Sequence, residues 1–320
     1  MVFSDNAMCA VLLCSYLGLD GDEGPKPLSL GEWNGLLERL TEAGLEPGAV
    51  LGMKTAELEN LGLPEEQRER ILRLTARGGA VALVLSELAG KGVEAVTAFD
   101  AAYPKLVRQR LQKKTPPVLF YAGNIELANK VGIAVAGSRN VDEAGVEFTR
   151  RLAEKAALEK LLIYSGGARG VDIISESTAL NAGGGVVSYL ADSLLAKIKK
   201  KEVLNGILQG RLLLLSDVKP DAGFSAARAM NRNKYIYASS YGAFVVSADY
   251  NKGGTWNGAM EAMRNRWTRV MVWDHKEYEG NQKLIVGGGR AYELSEEKLY
   301  DVITRKEEQE YVQMDLFHMN

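Results

Sequence analysis

One stretch limits what this chain can fold into more than any other: Gly132 to Asp172 reads as strand, turn, helix, strand, turn. Gly132-Ile133-Ala134-Val135-Ala136 is a short apolar run between glycines, the composition of a strand buried on both faces. Gly137-Ser138-Arg139 turns the chain at its carboxyl end. Asp142 is placed to cap a following helix, with Glu143 adding negative charge at the positive end of the dipole. Ala144, Phe148, Leu152 and Ala156 recur at helical spacing. Leu161-Leu162-Ile163-Tyr164 returns as a second strand and ends in Ser165-Gly166-Gly167-Ala168-Arg169-Gly170. Two neighbouring strand ends therefore each deliver small residues followed by an arginine.

In an open parallel sheet, ligands bind outside the carboxyl ends of the strands. Glycines there let backbone N–H groups approach an anion, and the next helix adds its positive end. Arg139 and Arg169 would add planar donor forks suited to phosphate oxygens. The plain alternative is that the glycines only make tight turns and the arginines pair with carboxylates. Two such loops side by side favour phosphate or nucleotide binding.

Because the formal net charge is only −2, no global field draws the protein to nucleic acid or anionic lipid, and a polyanion site must be a local patch. Both cysteines, Cys9 and Cys14, lie in one apolar N-terminal stretch, and there are two histidines. That spacing fits neighbouring helical turns and no usual zinc pattern, so buried thiols in a reducing cytoplasm are expected, with no metal site. The first residues lack a basic n-region and carry Asp5, unlike a secretion signal. No apolar run is long enough to span a bilayer. A cytoplasmic protein is expected.

The chain divides by pattern into a helical N-terminal domain (1–95), an α/β domain (96–294) and a C-terminal helical tail (295–320). In the first, Ser29 caps a helix carrying Trp33, Leu36, Leu37 and Leu40; Thr55 to Asn60 is a helix stopped by Gly62, and Pro64 starts the next. Paired helices of this kind can grip nucleic-acid backbones, although a packing or partner domain is the plainer reading. Lys105 to Lys114 holds five cations and no acid, which reads as a phosphate track or, more simply, as a solvated helix face. Strands follow at Val118–Tyr121, Val186–Leu190, Leu212–Leu215, Ala243–Ala248 and Val270–Trp273, separated by helices. That alternation predicts a doubly wound, mostly parallel Rossmann-like sheet. Lys197 to Lys201 is a second basic run, read as solvated. Residues 295–311 read as an amphipathic charged helix.

Two later segments carry chemistry. Asn231-Arg232-Asn233-Lys234, read as preceding a helix, forms with Arg228 a compact cluster that suits a backbone phosphate and base edges or is simply a capped, solvated helix start. Gly253-Gly254-Thr255 sits at a strand-to-helix switch and reads as another phosphate cradle, with Glu261 in the helix beyond. Trp256 offers a stacking surface, but a core position is the simpler reading.

Taken in order, Gly137-Ser138-Arg139, Ser165 to Asp172, Arg232-Asn233-Lys234 and Gly253-Gly254-Thr255 resemble the signatures of the DNA-processing protein A (DprA/Smf) family. Tyr103-Pro104 and Pro117 to Asn124 are similar to that family's approach to its core, so the resemblance covers about residues 85–275. It implies a Rossmann-like domain that binds single-stranded DNA without a cofactor, usually as a homodimer, and passes strands to a RecA-type recombinase in natural transformation. By the same resemblance Arg139 sits in an anion pocket walled by Ser165, Gly166, Gly167, Arg169 and Gly170. Arg232 and Lys234 are the basic contacts beside it. Two alternatives remain open at this level. One is a nucleotide-processing enzyme resembling the lysine-decarboxylase-like phosphoribohydrolases, with Glu261 as its carboxylate; the other is a nucleotide sensor.

Overall fold

The strand Gly132–Ala136 shows how the layers are built: Ile133 and Val135 enter one hydrophobic cluster, Ala134 and Ala136 the other. Successive strand residues point to opposite faces, so a strand apolar at every position must be covered twice. The computed structural model describes residues 3–19 and 24–305. Among these, the strands are β1 (Glu94–Thr97), β2 (Val118–Gly123), β3 (Gly132–Ala136), β4 (Leu162–Ser165), β5 (Val186–Tyr189), β6 (Leu212–Ser216), β7 (Gly242–Val245), β8 (Arg269–Trp273) and β9 (Arg290–Tyr292). They form one sheet in the order β1-β2-β6-β5-β4-β3-β7-β8-β9. From β6 to β9 every neighbouring pair is parallel, and β1 and β2 add an antiparallel edge. The sequence expectation of a doubly wound, mostly parallel sheet is met. Strand order reverses between β3 and β7, which is where such sheets open a crevice.

The helices are α1 (Asp5–Cys14), α2 (Leu30–Glu42), α3 (Thr55–Asn60), α4 (Glu65–Thr75), α5 (Gly78–Gly90), α6 (Lys105–Leu111), α7 (Glu143–Leu158), α8 (Val171–Asn181), α9 (Leu194–Lys197), α10 (Lys201–Leu208), α11 (Ala226–Ser239), α12 (Gly253–Arg264), α13 (Glu279–Val286) and α14 (Leu299–Thr304). On one face of the sheet, α7, α8 and α14 share a core with the N-terminal helices. Cys9, Val11 and Leu13 of α1 belong to the same buried cluster as Val118, Phe120 and Ala122 of β2. On the other face lie α6, α11, α12 and α13. α11 connects β6 back to β7 and lies across β5, β4 and β3.

Local expectations hold at several caps. Asp142 accepts from the Gly145 N–H at 2.9 Å, as a residue ahead of α7 should. Ser29 accepts from the Glu32 N–H while the Glu32 carboxylate accepts from the Ser29 N–H, a reciprocal capping box. Ser29→Ala is expected to cost about 1 kcal/mol in a denaturant melt; an unchanged midpoint would refute the cap's contribution.

Other expectations are corrected. Ala144 is exposed; the buried stripe of α7 runs Gly145, Phe148, Leu152 and Ala156. β1 and β9 are additional edge strands, and the boundary placed at residues 95 and 96 falls inside β1. Asn231 to Lys234 lies within α11, not ahead of a helix. The basic run at Lys105–Lys114 is a largely exposed helix face, as its simpler reading had it, with local partners for several of its cations. Arg108 and Arg110 donate to the carbonyls of Ala98 and Ala238, and Lys113 and Lys114 pair with Glu38 and Glu261. The expected tail helix is α14 as far as Thr304; residues from 306 on lie outside the described ones. No described helix is long and apolar enough to cross a membrane.

Candidate anion-binding cleft

At the β3–β7 switch point the chain leaves a cleft of about 390 Å³. Its walls come from Gly137 to Asn140 after β3, Lys252 to Thr255 opening α12 and the Arg232–Asn233 side of α11, with Ala168, Asp172, Ser247 and Asp249 completing them. Gly253 has φ +75, a conformation that glycine adopts without penalty. α12 begins behind Lys252 without a side-chain cap, so its first N–H groups face the cleft with the helix dipole behind them. Asn233 fixes this edge by donating to the Gly254 carbonyl at 3.1 Å. The first turn is held from β7's side, where the Ser138 N–H donates to Ser247 Oγ at 3.1 Å.

Arg232 is the group that gives the cleft its character. It is 4% exposed, and its Nε and one terminal nitrogen have no hydrogen-bond partner among the described residues. Burial pulls its pKa below the ordinary arginine value, opposed by the charges of Asp172, Glu176 and Asp192. Asp172 stands 3.9 Å away, an ion-pair distance with no hydrogen bond. Burial pushes the carboxyls of Asp172 and Glu176 up, and Arg232 works against that at Asp172. A buried guanidinium with free donors is costly unless something anionic completes it.

The second loop plays a different part from the one its glycines implied. The Gly167 N–H donates to Glu176 Oε1 at 2.8 Å and the Ala168 N–H points to Asp172 Oδ2 at 3.4 Å. Ser165 Oγ donates to the Val135 carbonyl at 3.1 Å. Those donors are spent on the protein's own groups, so Ser165, Gly166 and Gly167 form the wall that seats Arg232 and are not part of the cleft lining. The guanidinium occupies the space that a side chain at Gly166 would need. Gly170, at φ +78, lets α8 begin against the Ser138 carbonyl. Arg169 is exposed and outside the cleft.

Lys234 also turns away. Residues two apart on a helix face nearly opposite sides, and Lys234 Nζ donates to Asn231 Oδ1 at 2.7 Å on the far flank of α11. Burial lowers its pKa. Glu261 does not line the cleft; it pairs with Lys114 at 3.2 Å. Trp256 is buried, edge-on to Tyr250, as a core residue. Among the described residues no cluster of three or more His, Cys, Asp or Glu could hold a metal.

Sequence reasoning missed several lining residues, Met230, Tyr237, Ser247 and Asp249 among them, and Phe224 beside the cleft. Ser247 carried no motif. Phe224 is 61% exposed and lies under Arg139, whose guanidinium carbon is 5.7 Å from the ring centroid. A lone aromatic in a loop has no periodic signal to reveal it.

Fold and cleft together define a doubly wound α/β protein with a glycine- and arginine-lined crevice at its switch point. The profile of the family described as DNA recombination-mediator protein A matches residues 94–303. The chain belongs to that family. Protein Smf of Synechocystis sp. is 27% identical over 226 residues, which are 67% of this chain and 55% of that protein. DNA processing protein DprA of Streptococcus pneumoniae is 29% identical over 153 residues, 47% of this chain and 54% of the relative. The chain thus spans about half the length of the curated relatives it matches. The X-ray structure of S. pneumoniae DprA superposes with a TM-score of 0.68 at 19% identity, covering 91% of this chain and 95% of that one. A structure of DNA processing protein A from Helicobacter pylori, titled for its single-stranded DNA binding mode, gives 0.52 at 24% identity, covering 62% and 89%. At these identities the likeness is one of fold.

Proposed function

We propose that this chain binds single-stranded DNA by seating a backbone phosphate in the switch-point cleft, between Arg232 and the amino end of α12. Membership of the recombination-mediator family and the unsatisfied donors of Arg232 support this reading. The second of these carries it. Arg139 then meets the next phosphate at the rim, and the exposed Phe224 stacks a base. A flexible polyanion with unpaired bases suits such a cleft better than a stiff duplex. By family membership the chain would act in the cytoplasm as a homodimer that delivers strands to a RecA-type recombinase, as in natural transformation, and would work by binding without turnover. The enzyme alternative loses its carboxylate, because Glu261 is paired with Lys114 outside the cleft.

The test is a fluorescence-anisotropy titration of labelled oligo(dT) at low and moderate salt, with duplex DNA and free mononucleotide as competitors. Binding is expected to weaken steeply with salt, since phosphate contacts release counterions. Arg139→Ala is expected to cost about 1 kcal/mol irrespective of sequence, as loss of an exposed charge-assisted contact. Failure to bind at low salt would refute the reading. Displacement by mononucleotide but not by competing strand would shift it to a nucleotide sensor.

A further inference from the structure

A second groove, of about 690 Å³, opens on the opposite flank of α11. It lies between that helix, the start of β2 and the segment that follows α1. Arg228, Asn231 and Lys234 of α11 line it, while Ala229, Arg232 and Asn233 of the same helix line the anion cleft. α11 is thus a ridge between two depressions. The groove carries three cations: Lys219, Arg228 and Lys234. Their present partners are weak or local. Arg228 donates to the Gly223 carbonyl, Lys234 to Asn231, and Lys219 pairs with Asp221 at 3.3 Å with both side chains exposed. The one carboxylate in the groove, Asp217, is already engaged, accepting from Tyr235 Oη at 2.6 Å and Asn231 Nδ2 at 3.2 Å. The groove also holds an exposed aromatic ring from outside the sheet: Tyr16, 57% exposed, just beyond α1.

Cations along a groove with an aromatic platform beside them are the combination that holds single-stranded nucleic acid without reading sequence. We infer that this groove is a second subsite for the same strand, with a base on Tyr16 and the backbone along Arg228 and Lys219. The inference rests on the strand occupying the anion cleft first. The strand then crosses the amino-terminal end of α11, passing Phe224 on the cleft side and Gly223 on the groove side. A helix with its side chains is about 10 Å across, a width that an extended strand spans in roughly two nucleotides. The N-terminal helical region thereby gains a part in binding, since it supplies the stacking ring.

The test compares oligo(dT) of about five nucleotides, enough for the cleft alone, with oligo(dT) of about fifteen, by anisotropy at low salt. The native chain is expected to bind the longer strand more tightly. Tyr16→Ala and Arg228→Ala should each weaken the longer strand about tenfold and leave the shorter one unchanged, while Tyr16→Phe keeps the native affinity for both. Tyr16 and Arg228 are exposed, so unaltered thermal melts are expected and would confirm that the variants fold. Equal losses for both lengths, or no loss for the longer, would overturn the second subsite and leave the cleft reading standing. A native chain that binds neither length would overturn both.

Discussion

Replacing Arg232 with methionine is expected to reduce affinity for oligo(dT) roughly a hundredfold, about 3 kcal/mol, the range found when one member of a buried charged contact is removed. Methionine keeps the apolar stem and most of the volume, so the cleft does not collapse. The same variant makes a second, independent prediction. Asp172 already has its carboxyl raised by burial, and Arg232 is the charge that works against that rise. Without it the native-state pKa climbs further. A carboxyl raised above its unfolded value of about 4 stabilises the fold while protonated and loses that contribution as pH rises through the raised value. The variant should therefore gain stability relative to the native chain on going from about pH 8 to about pH 5. Undiminished DNA affinity would remove Arg232 from the site. Parallel pH profiles would remove the coupling to Asp172.

Gly170→Ala is expected to be the most damaging small substitution in the cleft region. The residue sits at φ 78 and ψ −132, and an added Cβ would press on the Ser138 carbonyl oxygen and lie 2.8 Å from Arg139 Cα. Backbone strain and overpacking together should cost about 3 kcal/mol, or a fall in Tm of about 5 °C. The contact is with backbone, which has nowhere to rotate, so the Ser138–Arg139 turn must shift and DNA binding should weaken with it. Gly210 supplies the comparison: φ is +68, but nothing lies within 4 Å of its added Cβ. Gly210→Ala should lose only about 1 kcal/mol, with DNA affinity intact. Equal costs for the two would mean that the packing of Gly170 against the turn contributes nothing.

Much of this architecture was legible in the sequence because parallel strands buried on both faces must be apolar at every position. β3 and β6 announce themselves as runs of Val, Ile, Leu and Ala, and β4 and β5 as apolar pairs extended by buried Tyr and Ser. β9 was not legible, since Arg290-Ala291-Tyr292 at a sheet edge needs only one buried side chain. Of the cleft, Gly137 to Arg139 and Gly253 to Thr255 could be read because backbone geometry alone puts them at strand ends. The fate of Gly166 and Gly167 could not, since the carboxylates that consume the loop's N–H groups come from Asp172 and Glu176 in the next helix. Arg232 and Lys234 looked equivalent while they were read as a loop. Once α11 begins at Ala226, helical rotation sends one into the protein and the other to its flank.

The path of α11 has a consequence for how the protein assembles. Because the β6-to-β7 connection passes over β5, β4 and β3, the helix that carries Arg232 has no seat until those strands are paired. Contacts so distant along the chain form late, after the loop-closure entropy has been met. The anion cleft is therefore a property of the finished sheet and not of any fragment of it. In a urea titration, loss of DNA binding should coincide with loss of tryptophan fluorescence, and saturating oligonucleotide should move both midpoints upward together, because the ligand holds only the completed chain.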